Sequence, residues 1–129
     1  MKKILLVDDS RTINKLLSNT LTEAGHDVIS AFNVDEAITA LKNHSDIKLV
    51  ITDLIMPGDK DGHDLIDHIH NTSLAGVRPR IIAISGGSAG TVTADTAVQS
   101  VAHRVEKVMM KPFTPKDLIH HVNQQTSAG

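Results

Sequence analysis

The chain has 129 residues, of which 40% are hydrophobic and 2% aromatic, with no cysteine and a formal charge of -2 at pH 7. That length suits one domain able to bury about two-thirds of its unfolded surface, and the absence of cysteine excludes disulfide frameworks and thiolate chemistry. The charge leaves no footprint for nucleic acid and no apolar run nears the roughly 18 residues of a membrane span, so a cytoplasmic domain is expected, without direct nucleic-acid binding or membrane insertion.

Met1-Lys2-Lys3 imitates the start of a signal peptide, but Asp8-Asp9 cuts the apolar run short, and Lys3 to Val7 is predicted as a first strand. Ser10 is a fitting N-cap for a helix in which Ile13, Leu16, Leu17 and Leu21 recur at three- and four-residue steps and Gly25 is the stop. A second strand follows over Asp27 to Ala31, then Asn33 and Glu36 form a capping box ahead of Ala37, Ile38 and Leu41. Lys48 to Thr52 reads as a third strand running into Asp53, and a helix from about Gly62 to Asn71 turns Leu65, Ile66 and Ile69 inward.

Arg80 to Ser85 is the fourth strand, followed by the pliable loop Ser85-Gly86-Gly87-Ser88-Ala89-Gly90 and a weakly apolar helix over Thr93 to Val101. Lys107 to Met110 is the fifth strand, and Thr114-Pro115 with Asp117 opens a last helix carrying Leu118, Ile119 and Val122. The domain is set at residues 1–125, with a short polar tail at 126–129 and fraying expected from Gln124 onward. Alternating strands and helices with nearly continuous apolar strands predict an α/β fold, a doubly wound five-stranded parallel sheet with helices on both faces.

Four of the strands end on residues that phosphoryl chemistry uses: Asp8-Asp9, Asp53, Ser85 and Lys111. In an open parallel sheet the carboxyl ends of the strands share one edge, where ligands bind. Three carboxylates within a few ångströms raise one another's pKa unless a cation intervenes, and Mg²⁺, a hard ion that combines a few carboxylates with water and phosphate oxygens, suits them. Lys111, held extended by Pro112, can reach back across that edge as a point charge for phosphate, and Ser85 can donate to a phosphate oxygen.

Val7-Asp8-Asp9-Ser10, Thr52-Asp53-Leu54-Ile55-Met56-Pro57, Ile84-Ser85-Gly86 and Met110-Lys111-Pro112-Phe113, in this order and spacing, resemble the receiver domain of two-component response regulators in its single-domain form. The resemblance implies a flavodoxin-like sheet of order 2-1-3-4-5 and Asp53 as the phosphoacceptor. It implies Mg²⁺ held by Asp8, Asp9, Asp53 and the backbone carbonyl of Ile55, with Ser85 and Lys111 as phosphate ligands. The backbone N–H groups of Gly86 and Gly87 are expected to turn toward the phosphoryl group beside Ser85. The implied donor is a phosphohistidine on a sensor histidine kinase or a histidine phosphotransfer protein, and the implied output is a surface that binds a downstream target protein. Such a chain is a phosphoacceptor switch, not an enzyme acting on a separate substrate.

Several positions depart from the pattern. Val108 stands where the family's switch aromatic usually lies, three residues before the lysine, so a scaffold with altered or lost phospho-switching is the alternative reading. Arg104-Val105 replaces a small Gly-Ala pair, and the loop Met56 to Gly62 is one residue longer than the common pattern, with Asp59 and Asp61 expected as exposed turn acids. A flavin protein would need a hydroxyl-rich loop in place of Asp8-Asp9, and a dehalogenase-like phosphatase a second acid in place of Ile55. His63, Asp67 and His70 share one helical face, expected to be solvated and without a role, and His120 and His121 are expected to point apart.

Overall fold

Runs of branched residues too short for helices pair as five parallel strands: β1 (Lys3–Val7), β2 (Asp27–Ala31), β3 (Ile47–Asp53), β4 (Arg80–Ser85) and β5 (Lys107–Met110). Among the described residues four helices accompany them: α1 (Arg11–Glu23), α2 (Val34–Asn43), α3 (Gly62–Thr72) and α4 (Pro115–Ser127). The computed structural model describes residues 3–56, 60–72, 78–85, 102–111 and 113–127, so Pro112, the glycine loop and the Thr93 to Val101 helix expected from the sequence lie outside the described residues. The strand order is β2-β1-β3-β4-β5, as the resemblance implied. Among the described residues no helix is long and apolar enough to cross a membrane.

Period-two alternation on the central strands feeds two apolar layers. Leu5, Val7 and Val50 face the layer closed by Ala37 of α2 and Leu65, Ile66 and Ile69 of α3. Ile4, Leu6, Leu49 and Ile51 face the layer closed by Leu17 and Leu21 of α1 and Leu118 and Val122 of α4. The sheet therefore separates α2 and α3 from α1 and α4.

The helix starts follow their caps. Ser10 accepts from Ile13 N at 3.3 Å, and Asn33 accepts from Glu36 N at 2.8 Å while Glu36 reaches one residue further back, to Phe32 N at 2.9 Å. Thr114 and Asp117 form a reciprocal box at 3.1 and 3.2 Å. Gly25 takes φ +96° after α1, the left-handed turn for which glycine is suited.

Two expectations change. Leu16 is 58% exposed, because the buried stripe of α1 runs through Asn14, Leu17 and Leu21, and Leu16 lies about 100° around the helix from Leu17. The C-terminal segment expected to fray from Gln124 onward is helical as far as Ser127, where α4 ends. Thr126 extends the inward face of Leu118 and Val122 by another four residues and is buried, its hydroxyl donating to the Val122 carbonyl at 2.9 Å.

Candidate metal and phosphoryl site

Parallel register carries the chemistry-bearing residues to one rim. Val7 lies opposite Thr52, Asp53 opposite Ile84, and Ser85 opposite Met110, so the residues leaving β1, β3, β4 and β5 emerge together. Asp8 is buried; one carboxylate oxygen accepts from Ser10 N at 2.9 Å, and its carbonyl accepts from the Asn14 side-chain amide at 3.1 Å. The same amide donates to the Ala31 carbonyl at 3.0 Å, tying the ends of β1 and β2 to α1. Asp9 is exposed at the mouth.

Asp53 closes β3 and is 6% exposed. Its backbone is held from several directions: Thr52 Oγ1 donates to its carbonyl at 2.9 Å, Leu54 N donates to the Ile84 carbonyl at 2.9 Å, and Gly62 N donates to the Leu54 carbonyl at 3.1 Å. A Cβ on Gly62 would stand 2.2 Å from the Asp53 carbonyl oxygen and 2.7 Å from Leu54 Cα. The start of α3 therefore rests directly on the backbone of Asp53, an approach only glycine permits. Asp61 caps that helix, accepting from His63 N at 2.9 Å while its own N–H donates to Asp64.

Lys111 enters from β5. Its backbone N–H donates to the Ser85 carbonyl at 3.1 Å, and its Nζ lies 3.2 Å from Asp53 Oδ2 and 3.8 Å from Asp8 Oδ2. Burial pushes the Asp53 carboxyl above its ordinary value, with the Asp8 charge adding a smaller push; the Lys111 ammonium and the Ile55 backbone N–H oppose them without cancelling them. Mutual repulsion of the acids, expected from the sequence as the cause of such a shift, contributes less here than desolvation.

Three buried polar atoms find no hydrogen-bond partner among the described residues: Asp8 Oδ2, Asp53 Oδ1 and Ser85 Oγ. Asp8, Asp9 and Asp53 each offer a carboxylate oxygen, all within 4.8 Å of one another. Unpartnered acceptors at this depth are costly unless a ligand satisfies them, and an all-oxygen, anionic set suits a hard divalent cation such as Mg²⁺.

The predicted site residues Asp8, Asp9, Asp53, Ser85 and Lys111 thus meet, and Ile55 follows Asp53 with a side chain 47% exposed. Gly86, Gly87 and Asp59 lie outside the described residues. Val108 is half-buried against the α2–α3 layer. Sequence reasoning missed Asn14, whose signal was a polar residue on the inward stripe of α1, and Gly62, whose signal was a glycine opening a helix where a better helix former would serve. On the α3 face Asp67 is exposed, as expected of a solvated face, but pairs with the Arg104 guanidinium, and the half-buried His70 places Nε2 2.8 Å from the Arg104 carbonyl. The His120 and His121 rings do not point apart but touch edge to face at 5.2 Å.

Known proteins resemble this chain over nearly its whole length. A family model described as the response regulator receiver domain matches residues 4–123. The chain is 36% identical over 129 residues to a chemotaxis protein CheY homolog of Campylobacter jejuni, covering 98% of this chain and 94% of that protein. It is 37% identical over 118 residues to chemotaxis protein CheY1 of Helicobacter pylori, covering 90% of each. The crystal structure of the receiver domain of NtrX from Brucella abortus superimposes with a TM-score of 0.83 at 26% identity, covering 98% of this chain and 99% of that one.

Proposed function

Since the chain belongs to the response regulator receiver domain family, we propose that it is a Mg²⁺-dependent phosphoacceptor that takes a phosphoryl group onto Asp53 from a phosphohistidine and thereby changes a protein-binding surface. The single observation that carries this reading is the pair of buried carboxylates beside the Lys111 ammonium, at 3.8 Å from Asp8 and 3.2 Å from Asp53, each with an oxygen that has no hydrogen-bond partner among the described residues. Asp8, Asp9, Asp53 and the Ile55 carbonyl would hold the cation, whose bound charge favours the anionic phosphoryl group.

Asp53 supplies a carboxylate oxygen that forms a new bond to phosphorus as the bond from phosphorus to the donor's imidazole nitrogen breaks, the electron pair leaving with that nitrogen. Lys111, already 3.2 Å from Asp53 Oδ2, balances charge on the phosphoryl oxygens, and the Ser85 hydroxyl donates to one of them. The chain is then both catalyst and acceptor and turns over no separate substrate. The product is an acyl phosphate carrying about -1.5 to -2 charge at the sheet edge. The donor is a sensor histidine kinase or a histidine phosphotransfer protein, and a downstream target reads the altered surface.

Incubation with Mg²⁺ and acetyl phosphate tests this. Mass spectrometry should find one base-labile phosphoryl group per chain, absent with EDTA and absent in Asp53→Asn. A chain that stays unmodified under these conditions overturns the reading in favour of a receiver-shaped scaffold, which the half-buried Val108 keeps as the competing case.

A further inference from the structure

Arg104 is gripped at both ends by one face of α3. Its guanidinium pairs with Asp67, and its backbone carbonyl faces His70 Nε2 at 2.8 Å. Asp67 and His70 are three residues apart and so are neighbours on the helix surface. The imidazole contact survives either protonation state so long as Nε2 carries its hydrogen. Two side chains of one helix that hold the head and the backbone of the same residue fix both its position and its orientation.

What lies to either side of this clasp gives it meaning. Two residues on from Arg104, Glu106 N donates to the Ile81 carbonyl at 3.0 Å while a Glu106 carboxylate oxygen accepts from Ile81 N at 2.8 Å, and Arg78 forks onto the same carboxylate at 2.9 and 3.1 Å. β5 then runs only four residues, pairs among the described residues on one side only, with β4, and is followed directly by Lys111. A strand this short, at a sheet edge, takes little fixity from its own ladder. In the other direction, α3 begins at Gly62 on the Asp53 backbone, so the clasp sits roughly 10 Å along the helix axis from Asp53 at 1.5 Å per residue. Asp53, α3, Arg104, β5 and Lys111 close a ring that returns to Asp53.

We propose that Asp67, His70 and Arg104 are positioning residues that fix the approach to β5 against α3 and so set where Lys111 presents its ammonium to Asp53. This rests on the phosphoacceptor reading for its consequence, and on geometry alone for the placement of Lys111.

The experiment compares the wild-type chain with Arg104→Ala, with the charge swap Asp67→Arg/Arg104→Asp, and with Arg104→Lys. Two readouts are taken: nuclear magnetic resonance of Lys111, following its amide exchange and its Nζ shift, and the rate of phosphorylation by acetyl phosphate with Mg²⁺ affinity measured separately. Arg104→Ala should shift the Lys111 Nζ resonance, expose its amide to faster exchange, and slow phosphorylation about tenfold, while Mg²⁺ affinity changes less than twofold. The charge swap and Arg104→Lys should restore most of both. Lys111 resonances unchanged in a folded Arg104→Ala protein overturn the proposal, and so does a loss of thermal stability with no change in rate. If the wild-type chain accepts no phosphoryl group, the function proposed above fails, and the Lys111 resonances still decide the clasp.

Discussion

At the scale of single residues, the site and its supports place opposite demands on carboxyl groups. The Asp53 carboxyl is pushed up by burial, whereas Glu106, which burial would also raise, is brought below its ordinary value by Arg78 and the Ile81 N–H. A carboxyl whose folded pKa is depressed contributes stability above its unfolded value, near 4.5, and loses it as pH falls through the lower folded value. The stability gap between wild type and Glu106→Gln, followed by urea denaturation, should hold steady from neutral pH down to about 5 and shrink below it. Asn14 presents a sharper case, because its amide donates to two carbonyls inside the fold. Asn14→Ala should cost about 2–3 kcal/mol, through a lost bond and an unpartnered Asp8 carbonyl. Asn14→Asp, nearly the same in shape, should be worse at pH 7 and partly recover in acid, where a protonated carboxyl can donate again.

Among the elements, α3 is the one whose placement is most constrained by the site. Gly62→Ala puts a methyl against backbone atoms that no side-chain rotation can clear, so the helix start or Asp53 must move. The expected loss is about 3 kcal/mol in chemical denaturation, together with slowed phosphorylation, since overpacking against backbone lies at the upper end of such costs. Strand ends, the caps of α1, α2 and α4 and the inward faces of α2 and α3 were legible in the sequence because each follows from local spacing or from a side chain bonding its own backbone, whereas Asp61, expected as an exposed turn acid, caps α3. Leu16 and Thr126 were not, since which stripe of a helix meets the sheet depends on where the whole element docks. The acids and Lys111 were legible because strand ends converge whatever the loops do. The pairing of Asp67 with Arg104 was hidden, as nothing in either segment announces that a turn before β5 lies along α3.

For the whole molecule, the proposed cation site ties ion binding to folding. An ion that binds the folded rim and not the unfolded chain adds RT ln(1 + [L]/Kd), about 2.7 kcal/mol at a hundred times Kd. Calorimetry should show the melting temperature climbing with Mg²⁺. Asp9→Asn should abolish that climb with little cost to the metal-free protein, because Asp9 is exposed and its carboxylate serves the rim and not the interior. One short stretch imposes a stricter rule on the chain's length. Lys111 uses its backbone N–H to bind the Ser85 carbonyl and its side chain to meet Asp53, while five residues earlier Glu106 is bolted to Ile81. Strand side chains alternate faces, so deleting a single residue between those two anchors would send the ammonium to the opposite side of the sheet. Both anchors sit on the same strand, at Ile81 and at Ser85, so β4 works as a ruler for this interval, which admits no insertion or deletion that β4 does not share.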